Sequence, residues 1–569
     1  MRARAAWLLA WLLVLLLISA GLFALYLCQS RAAPFNSDGA ANVLQGRAMV
    51  TGNPLLRGWW TSDVSFYTTE LPEYALVTAI RGLSPDVVHL CGALTYTLTV
   101  LLAALAARGG AGSFSAGDGT GGGAGWSGAG IAAAIMLAPS ILGGTEVFLE
   151  YPDHAGTAVP VLLLVLLLGR AGGQRAGRLA LPLAACALLA LAQVGDDLTL
   201  VAATVPLAAV CALRLLTARR AGGGERRSAA ALADGRLLAA AVISAGLAEL
   251  ADLIIRAQGG FDLRPLGGVA LAPLRQVPAN ARLLWQSLIL LFGANNPGPP
   301  HQPQTIRAHV LLVGMADSHV VGLLLAGAGL AAGGASLLSR QADRGTQLLV
   351  AAISVVLAAG VFTTVLRSLS NAHEVAVLLP LGAALAGRVL PGAGAACYSR
   401  APARARRVGI APLALGAWLT VSVAELCYAA AWPATPPPEQ AVAAWLVSHH
   451  ERTGLAGYWQ ASATTVTSGG RVLVAPVTLT AAPAPARVSG EAAADRWESS
   501  AAWYQPARRD ATFVIAVTGP GAAGGLSPAA VRASFGAPAA EHEVGQDLVM
   551  LYRYNLLTRL RGAAFPGPG

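Results

Sequence analysis

The chain has 569 residues, of which 55% are hydrophobic and 12% charged, with a mean hydropathy of +0.58. A soluble globule of that size could not hide so much apolar surface, so lipid is the solvent of this chain. The formal charge of +10 comes from arginine alone, since lysine is absent; the arginines fall mainly between apolar runs, a pattern that fits the positive-inside rule and argues against nucleic-acid binding.

The chain opens with the basic stretch Met1–Arg4 and the apolar stretch Ala5–Leu27. The apolar part is long enough to span, which predicts a retained signal anchor rather than a cleaved leader. A crossing helix needs about 20 apolar residues. On that measure about eleven spans are predicted, at 7–27, 87–107, 129–148, 155–169, 178–194, 198–216, 236–255, 312–336, 346–366, 374–390 and 408–431.

With the N-terminus cytoplasmic, every inside segment is basic: Arg108; then Arg170, Arg175 and Arg178; then Arg219, Arg220, Arg226 and Arg227; then Arg340 and Arg344; then the arginines from Arg400 to Arg407. The opposite segments 28–86, 149–154, 195–197, 256–311, 367–373 and everything after 432 hold most of the acidic and aromatic residues. Both signals give one orientation, in the cytoplasmic membrane with the C-terminal part outside. The apolar run Leu283–Phe292 is too short to cross, and counting it would invert every later loop, so an interfacial or re-entrant helix is expected there. Gly109–Gly130 is glycine-rich without the lysine of a phosphate-cradling loop, and reads as a linker. The six cysteines lie in or beside apolar spans without metal-ligand spacing and read as small packing residues.

After Trp432 the composition changes. Pro433, Pro436, Pro437 and Pro438 form a stiff linker, and turn signals follow. Helices are predicted at Glu439–Glu451 and Pro528–Phe535, with strands at Thr464–Thr467, Arg471–Leu479, Thr512–Val517 and Leu548–Tyr554. The predicted fold is thus an all-α polytopic membrane domain over 1–432, with a first extracytoplasmic loop at 28–86, and a small extracytoplasmic α/β domain over 433–569.

Chemistry-bearing residues concentrate in that first loop: Asn36-Ser37-Asp38-Gly39, Trp59-Trp60, Asp63, Glu70 and Glu73-Tyr74. Carboxylates beside a membrane, with tryptophans able to stack on sugar rings, suit a lipid-borne glycosyl donor; a solvated loop with interfacial anchors is the plainer alternative. Two other turns on the same side carry acids and an imidazole, Asp153-His154 and Asp196-Asp197, and Asn371-Ala372-His373-Glu374 lies on a third. Asp153 and His154, or Asp38 and His154, offer donors for a divalent metal, although polar residues capping helix ends account for them equally. His373 and Glu374 lack a His-Glu-x-x-His context, so no zinc hydrolase is indicated. Arg367 and Arg256, at outside ends of spans, are candidates for holding a phosphate, or else snorkel to the interface. In the tail, Tyr458-Trp459, Trp497 and Trp503-Tyr504 read as a sugar platform or as a core cluster. No nucleotide fingerprint or serine elbow is present.

An N-terminal span, a long first outside loop opening with Asp38, many further spans and an outside C-terminal domain resemble the integral-membrane glycosyltransferases of the GT-C fold, in particular the protein mannosyltransferase and aminoarabinose transferase group. The resemblance implies that Asp38 is the base activating the acceptor. It also implies a polyprenyl-phosphate sugar as donor and a cell-envelope glycan, lipid or protein as acceptor. Asp38 is followed here by Gly39, where that group often has a second acid. Asn36, Trp59, Trp60, Glu70, Asp153, His154, Asp196, Asp197 and His373 are then expected to line the substrate cavity, with Arg367 or Arg256 on the donor phosphate. The residues specify no cofactor, a divalent metal being the one candidate. A transporter or lipid-linked saccharide flippase is the alternative, but acidic residues within spans are sparse and no internal repeat is evident. A scaffold displaying the tail is a third reading.

Overall fold

The computed structural model describes residues 2–109, 121–141, 143–150, 153–170, 179–220, 225–263, 269–295, 306–339, 342–399, 410–479, 492–518 and 525–560. In chain order the first elements are α1 (Arg2–Arg31), α2 (Ser37–Val50), β1 (Trp59–Trp60), α3 (Leu71–Arg81), α4 (Asp86–Arg108), α5 (Gly121–Met136), α6 (Ala158–Arg170), α7 (Ala180–Gly195) and α8 (Val205–Arg220). They are followed by α9 (Glu225–Ala257), α10 (Val277–Phe292), α11 (Ile306–Gly334), α12 (Arg344–Phe362), α13 (Leu378–Ser399) and α14 (Ile410–Ala430). The C-terminal part contributes α15 (Gln440–Ser448), β2 (Thr453–Ala456), α16 (Tyr458–Thr467), β3 (Leu473–Leu479), β4 (Ala492–Ala494), β5 (Ser499–Ser500), β6 (Phe513–Val517), α17 (Pro528–Phe535), β7 (Ala540–Val544) and β8 (Asp547–Leu551).

Two compact units emerge. The first comprises Met1–Ala32, Gly92–Leu250 and Gly268–Pro433; the second comprises Ala33–Cys91, Ala251–Gly267 and Ala434–Gly569.

Among the described residues, seven helices are long and apolar enough to cross a membrane: Leu9–Arg31, Asp86–Arg108, Leu200–Ala218, Ala229–Ala257, Val313–Leu338, Arg344–Phe362 and Pro412–Ala430. An eighth crossing is broken, with Leu369–Val375 and Leu378–Gly392 meeting at a 49° bend. Three apolar helices are shorter, Gly125–Met136, Ala155–Gly169 and Ala180–Gly195. Each predicted span therefore meets an apolar helix, but not each is a full crossing. The expected helix at 129–148 ends at Met136, where Pro139 cannot donate to a helix and restricts Ala138, and a π-helical turn Glu146–Glu150 follows. Part of the expected linker 109–130 is helical, in α5, while residues 110–120 lie outside the described residues. The run expected as a short interfacial helix extends back to Val277, with Pro278 in its first turn, and stops at Gly293 with φ 73°.

Close packing in this unit relies on small residues. A Cβ at Gly128 would stand 2.3 Å from the Gly387 carbonyl oxygen, so only glycine lets α5 and α13 touch backbone to backbone. Charges are rare inside and paired. The Arg388 guanidinium, from α13, donates to Asp343 Oδ1 (2.5 Å), Thr346 Oγ1 (2.9 Å) and the Ala106 carbonyl (2.5 Å). Asp234 accepts from Arg344 (2.7 Å) and Arg214 (3.2 Å), and Arg214 reaches Gln347 Oε1 (2.8 Å). In these two clusters the charges buried away from water are answered by opposite ones.

The second unit contains a six-stranded mixed sheet in the order β4-β3-β2-β6-β8-β7. β2 runs parallel to β3 and to β6, and the other pairs are antiparallel. Residue alternation decides its two faces. Leu455, Ala475, Val514, Ala516 and Met550 join one core, which also holds Phe35, Val43 and Tyr74 of α2, α3 and their flanks. Ala456, Val474, Phe513, Ile515 and Val549 join another with Val442 and Leu446 of α15. The strands expected at Arg471–Leu479, Thr512–Val517 and Leu548–Tyr554 and both helices form nearly as read. Thr464–Thr467 is helical instead, the end of α16, where Thr464 Oγ1 donates to the Gln460 carbonyl at 2.6 Å and Thr465 to the Ala461 carbonyl at 3.2 Å. Such i−4 bonds let threonine sit in a helix despite its strand preference.

Candidate active site

Asp38 lies in the first turn of α2 rather than in an irregular loop. Asn36 caps that helix, its side-chain oxygen accepting from Gly39 N–H at 3.0 Å while its Nδ2 donates to Asp38 Oδ2 at 2.9 Å. Helix α2 is fixed in turn by α3: a Cβ at Gly46 would meet the Tyr74 and Ala75 backbone at 2.9 Å. From the C-terminal part, Ser37 Oγ donates to the Trp459 carbonyl at 2.8 Å, which seats the start of α16 over Asp38. Tyr458 Oη then lies 2.5 Å from Asp38 Oδ1 and 2.6 Å from Glu498 Oε2. Glu498 is 2% exposed and holds a left-handed backbone, φ 46°.

Burial pushes the Asp38 carboxyl up to about 6, with the Tyr458 and Asn36 hydrogen bonds pulling it back. Burial, then the two neighbouring carboxylates, hold the Tyr458 phenol well above its usual range, so it keeps its proton.

The tryptophan pair is held by strand pairing. β1 pairs antiparallel with β5, Trp59 opposite Ser500 and Trp60 opposite Ser499, next to Glu498. Trp59 is buried edge-on against Trp503, ring centroids 5.1 Å apart, and Arg496 stands 5.3 Å over the Trp60 ring. The pair braces the segment that carries Glu498. Glu70 is buried at the start of α3, where the helix N-terminus favours an anion. Arg256 stands exposed in the last turn of α9, its Nε donating to the Asp252 carbonyl at 3.3 Å.

The first unit has its own cluster. His154, with φ 58°, begins the turn before α6, and Asp196 caps the end of α7. His154 Nδ1 lies 2.9 Å from Asp196 Oδ2, which also accepts from Thr157 Oγ1, while Asp196 Oδ1 accepts from Leu198 N–H at 2.9 Å. On the other ring edge, His154 Nε2 is 3.8 Å from Glu374 Oε2, and His373 Nε2 is 3.9 Å from Glu374 Oε1. The two imidazoles stack, centroids 5.6 Å apart and 5° from parallel. Burial opposes charge on His154, but Asp196, Glu374 and Asp153 outweigh it and hold the ring well above the usual histidine range. Asp196 is correspondingly held low despite burial, by the His154 charge and hydrogen bonds.

His154, His373 and Glu374 offer three donor atoms within 4.8 Å of one another. The separations of 3.8 and 3.9 Å, which run to the two different oxygens of Glu374, are too long for direct hydrogen bonds. The Asp196 contact leaves Nε2 as the outward nitrogen, in the manner of carboxylate–histidine–metal pairs. A proton and a cation would therefore compete for Nε2.

The structure thus joins Asn36 to Asp38 in one unit, and His154, Asp196 and His373 in the other with Asp153 close by. Asp197 is exposed beside that cluster, and Arg367 is exposed between α12 and the Leu369–Val375 turn. Glu498 and Glu374 are residues to which sequence reasoning assigned no site role, and Tyr458 entered it only as part of a sugar platform or core cluster. Asp38 and Tyr458 are 420 positions apart, and nothing in the local pattern of either signals the other.

No family model matches the sequence, nor does any curated protein. Among solved structures, the chain is similar to ArnT from Cupriavidus metallidurans bound to undecaprenyl phosphate, at 13% identity and a TM-score of 0.49, covering 98% of this chain and 99% of that one. It is also similar to the Archaeoglobus fulgidus oligosaccharyltransferase tethered with an acceptor peptide, at 13% identity and a TM-score of 0.43, over 82% of this chain. There the chain spans 63% of the length of the enzyme it matches. The archaeal oligosaccharyltransferase AglB from the same organism, in complex with an inhibitory peptide and a dolichol-phosphate, matches 85% of this chain and 66% of that one at 12% identity and a TM-score of 0.42.

Asp196→Asn removes the charge that sustains the His154 imidazolium and leaves burial dominant. The His154 titration, followed by NMR of histidine-labelled protein against a His154→Gln control, should move down. A titration that does not move would show that Asp196 is not what holds it.

Proposed function

We propose that the chain is a membrane glycosyltransferase that moves a sugar from a polyprenyl-phosphate donor to a cell-envelope acceptor on the outer face of the cytoplasmic membrane. The observation that carries the reading is Asp38, which follows the first span and is held by two hydrogen-bond donors at a buried position that lifts its carboxyl to about 6. A carboxylate of that kind is ionised at neutral pH yet basic enough to take a proton in the transition state. The donor and acceptor classes come from the GT-C resemblance of the sequence.

In the reaction, the acceptor hydroxyl attacks the sugar C1 as its proton passes to Asp38. The C1–oxygen bond to the phosphate breaks, and polyprenyl phosphate leaves with the electron pair. Departing phosphate calls for a cation or donors. Arg367 and Arg256 are proposed for that role as exposed guanidiniums near the ends of spans, and His154 as an imidazolium. A divalent metal, when bound, would be held by His154, His373 and Glu374 and would supply charge neutralisation.

The test is transfer by the purified full-length protein, with radiolabelled polyprenyl-phosphate sugars as donors and an envelope extract as acceptor. Label passing to the acceptor is expected. No transfer with any such donor would turn the reading toward a transporter or a lipid-linked saccharide flippase.

A further inference from the structure

The stretch 269–276 is tied to the last residues of a crossing helix. Ala272 N–H donates to the Phe362 carbonyl at 2.8 Å and Thr364 N–H to the Ala270 carbonyl at 2.9 Å, while Asn280 Nδ2, in the first turn of α10, donates to the Thr363 carbonyl at 3.0 Å. Phe362 ends α12, a helix long and apolar enough to cross, so these bonds hold the stretch and the start of α10 at the level where the bilayer ends. There the chain exposes large apolar side chains, Leu271 at 83% and Leu274 at 87%, with Trp285 exposed as well. They continue as a stripe. From the turn Leu274–Gln276 through α10, Leu274, Pro278, Ala281 and Trp285 follow at helical spacing and are all exposed, whereas Leu284, Ser287 and Leu291 on another face are buried. At 1.5 Å per residue the stripe runs ~16 Å along a convex helix surface, which suits an extended apolar phase better than one lipid chain in a groove. Beside it Arg275 and Arg282, two turns apart on one side of the helix, are exposed too. From 263 to 316 the sequence has four arginines and no acidic residue, although the order of spans read from the sequence places this segment on the outer side, where the positive-inside rule thins arginine.

We propose that 269–276 and the exposed face of α10 form a phospholipid-binding surface at the outer leaflet, with Leu271, Leu274 and Trp285 in the acyl region and Arg275 and Arg282 on the phosphates of anionic headgroups. An apolar stripe that carries a tryptophan and is flanked by arginines is the make-up of a helix lying in the membrane interface. A planar guanidinium pairs with two phosphate oxygens at once, and its aliphatic stem can lie along the apolar stripe. The bilayer phospholipid is the occupant because the surface is convex, stands level with the end of a crossing helix and offers positive charge with no acid of its own segment to answer it. The inference does not rest on sugar transfer.

The test uses the full-length protein in mixed micelles of an uncharged detergent with brominated phosphatidylglycerol or brominated phosphatidylcholine at equal mole fraction. Bromine quenches tryptophan on contact, and the difference between wild type and Trp285→Phe isolates Trp285 among the twelve tryptophans. Both lipids should quench it, with phosphatidylglycerol preferred by about fivefold for each arginine engaged, the worth of one basic residue at an anionic surface. Arg275→Gln combined with Arg282→Gln should bring that preference to near unity while quenching by phosphatidylcholine stays. Added salt should weaken the preference in the wild type with no substitution at all. No quenching by either lipid would overturn the surface. Equal quenching by both in the wild type, or a preference that survives the double change or high salt, would overturn the role of the arginines. Quenching abolished by equimolar polyprenyl phosphate would make this a carrier-lipid site. Quenching that appears only when the protein dissociates to monomers would make it a contact between two copies. Either result overturns the phospholipid assignment.

Discussion

Asp38→Asn should lower kcat for sugar transfer by about 10²–10⁴-fold, the usual worth of a positioned general base. The substitution is isosteric. An amide oxygen at position 38 can still accept from Tyr458, so α16 should stay seated through that contact and through Ser37 on the Trp459 carbonyl. What is lost is the lone pair of a carboxylate. In the wild type the active form is ionised, so the rate should fall about tenfold per pH unit well below pH 6, the value to which burial lifts Asp38. Residual activity of the variant should lack that limb. Stability moves the other way: a carboxyl whose folded value lies above its unfolded one contributes stability at low pH that is lost as pH rises through about 6. Asp38→Asn should therefore melt at a higher temperature than wild type at pH 8 and at nearly the same temperature at pH 4. Undiminished transfer in the variant would remove Asp38 from the chemistry.

How much of this was legible depended on how local the determining physics is. Span length is local, and apolar runs marked every membrane helix. Where a run crossed Pro139 or the bend between Val375 and Leu378, composition counted residues that the backbone could not keep in one helix. Thr464–Thr467 looked like a strand because its residues are β-branched. Its helix is settled by packing on β3 and by side-chain bonds to carbonyls four residues back. Asp38 and Asn36 were singled out by their position after the first span. The contacts of Tyr458 with Asp38 and Glu498 were not, because a phenol and a glutamate far along the chain carry no mark of their meeting. Trp59 and Trp60 were visible as an aromatic pair, but their β pairing with Ser500 and Ser499 and the edge-to-face contact of Trp59 with Trp503 depend on residues far along the chain. A zinc-hydrolase reading of His373-Glu374 was set aside for want of a motif; His373 was expected near His154, and a short turn brings Glu374 toward it as well, which a linear spacing rule does not register.

Arg388→Leu should cost roughly 3 kcal/mol of stability, because removing one member of a buried ion pair strands the other. The guanidinium side chain is 1% exposed and serves three acceptors on two segments: the Ala106 carbonyl of α4, and Thr346 and the capping Asp343 at the start of α12. Glycines leave room for it. A Cβ at Gly109 or at Gly345 would stand 2.9 Å from a guanidinium nitrogen. Leucine can refill part of the volume but donates nothing, leaving the Asp343 carboxylate with Thr346 and its helix N-terminus as remaining support. The contrast is Arg532–Glu541, a pair of bonds at 2.7–2.8 Å whose side chains are 45% and 33% exposed. Water and salt screen that pair, so Arg532→Ala should cost no more than about 1 kcal/mol. Melting of the detergent-purified protein compares the two directly. A double change, Arg388→Leu with Asp343→Leu, should recover much of the loss, since no charge is then left unanswered. Equal effects of the two arginine substitutions would mean that Arg388 is hydrated in the bundle and is not the clamp that its geometry describes.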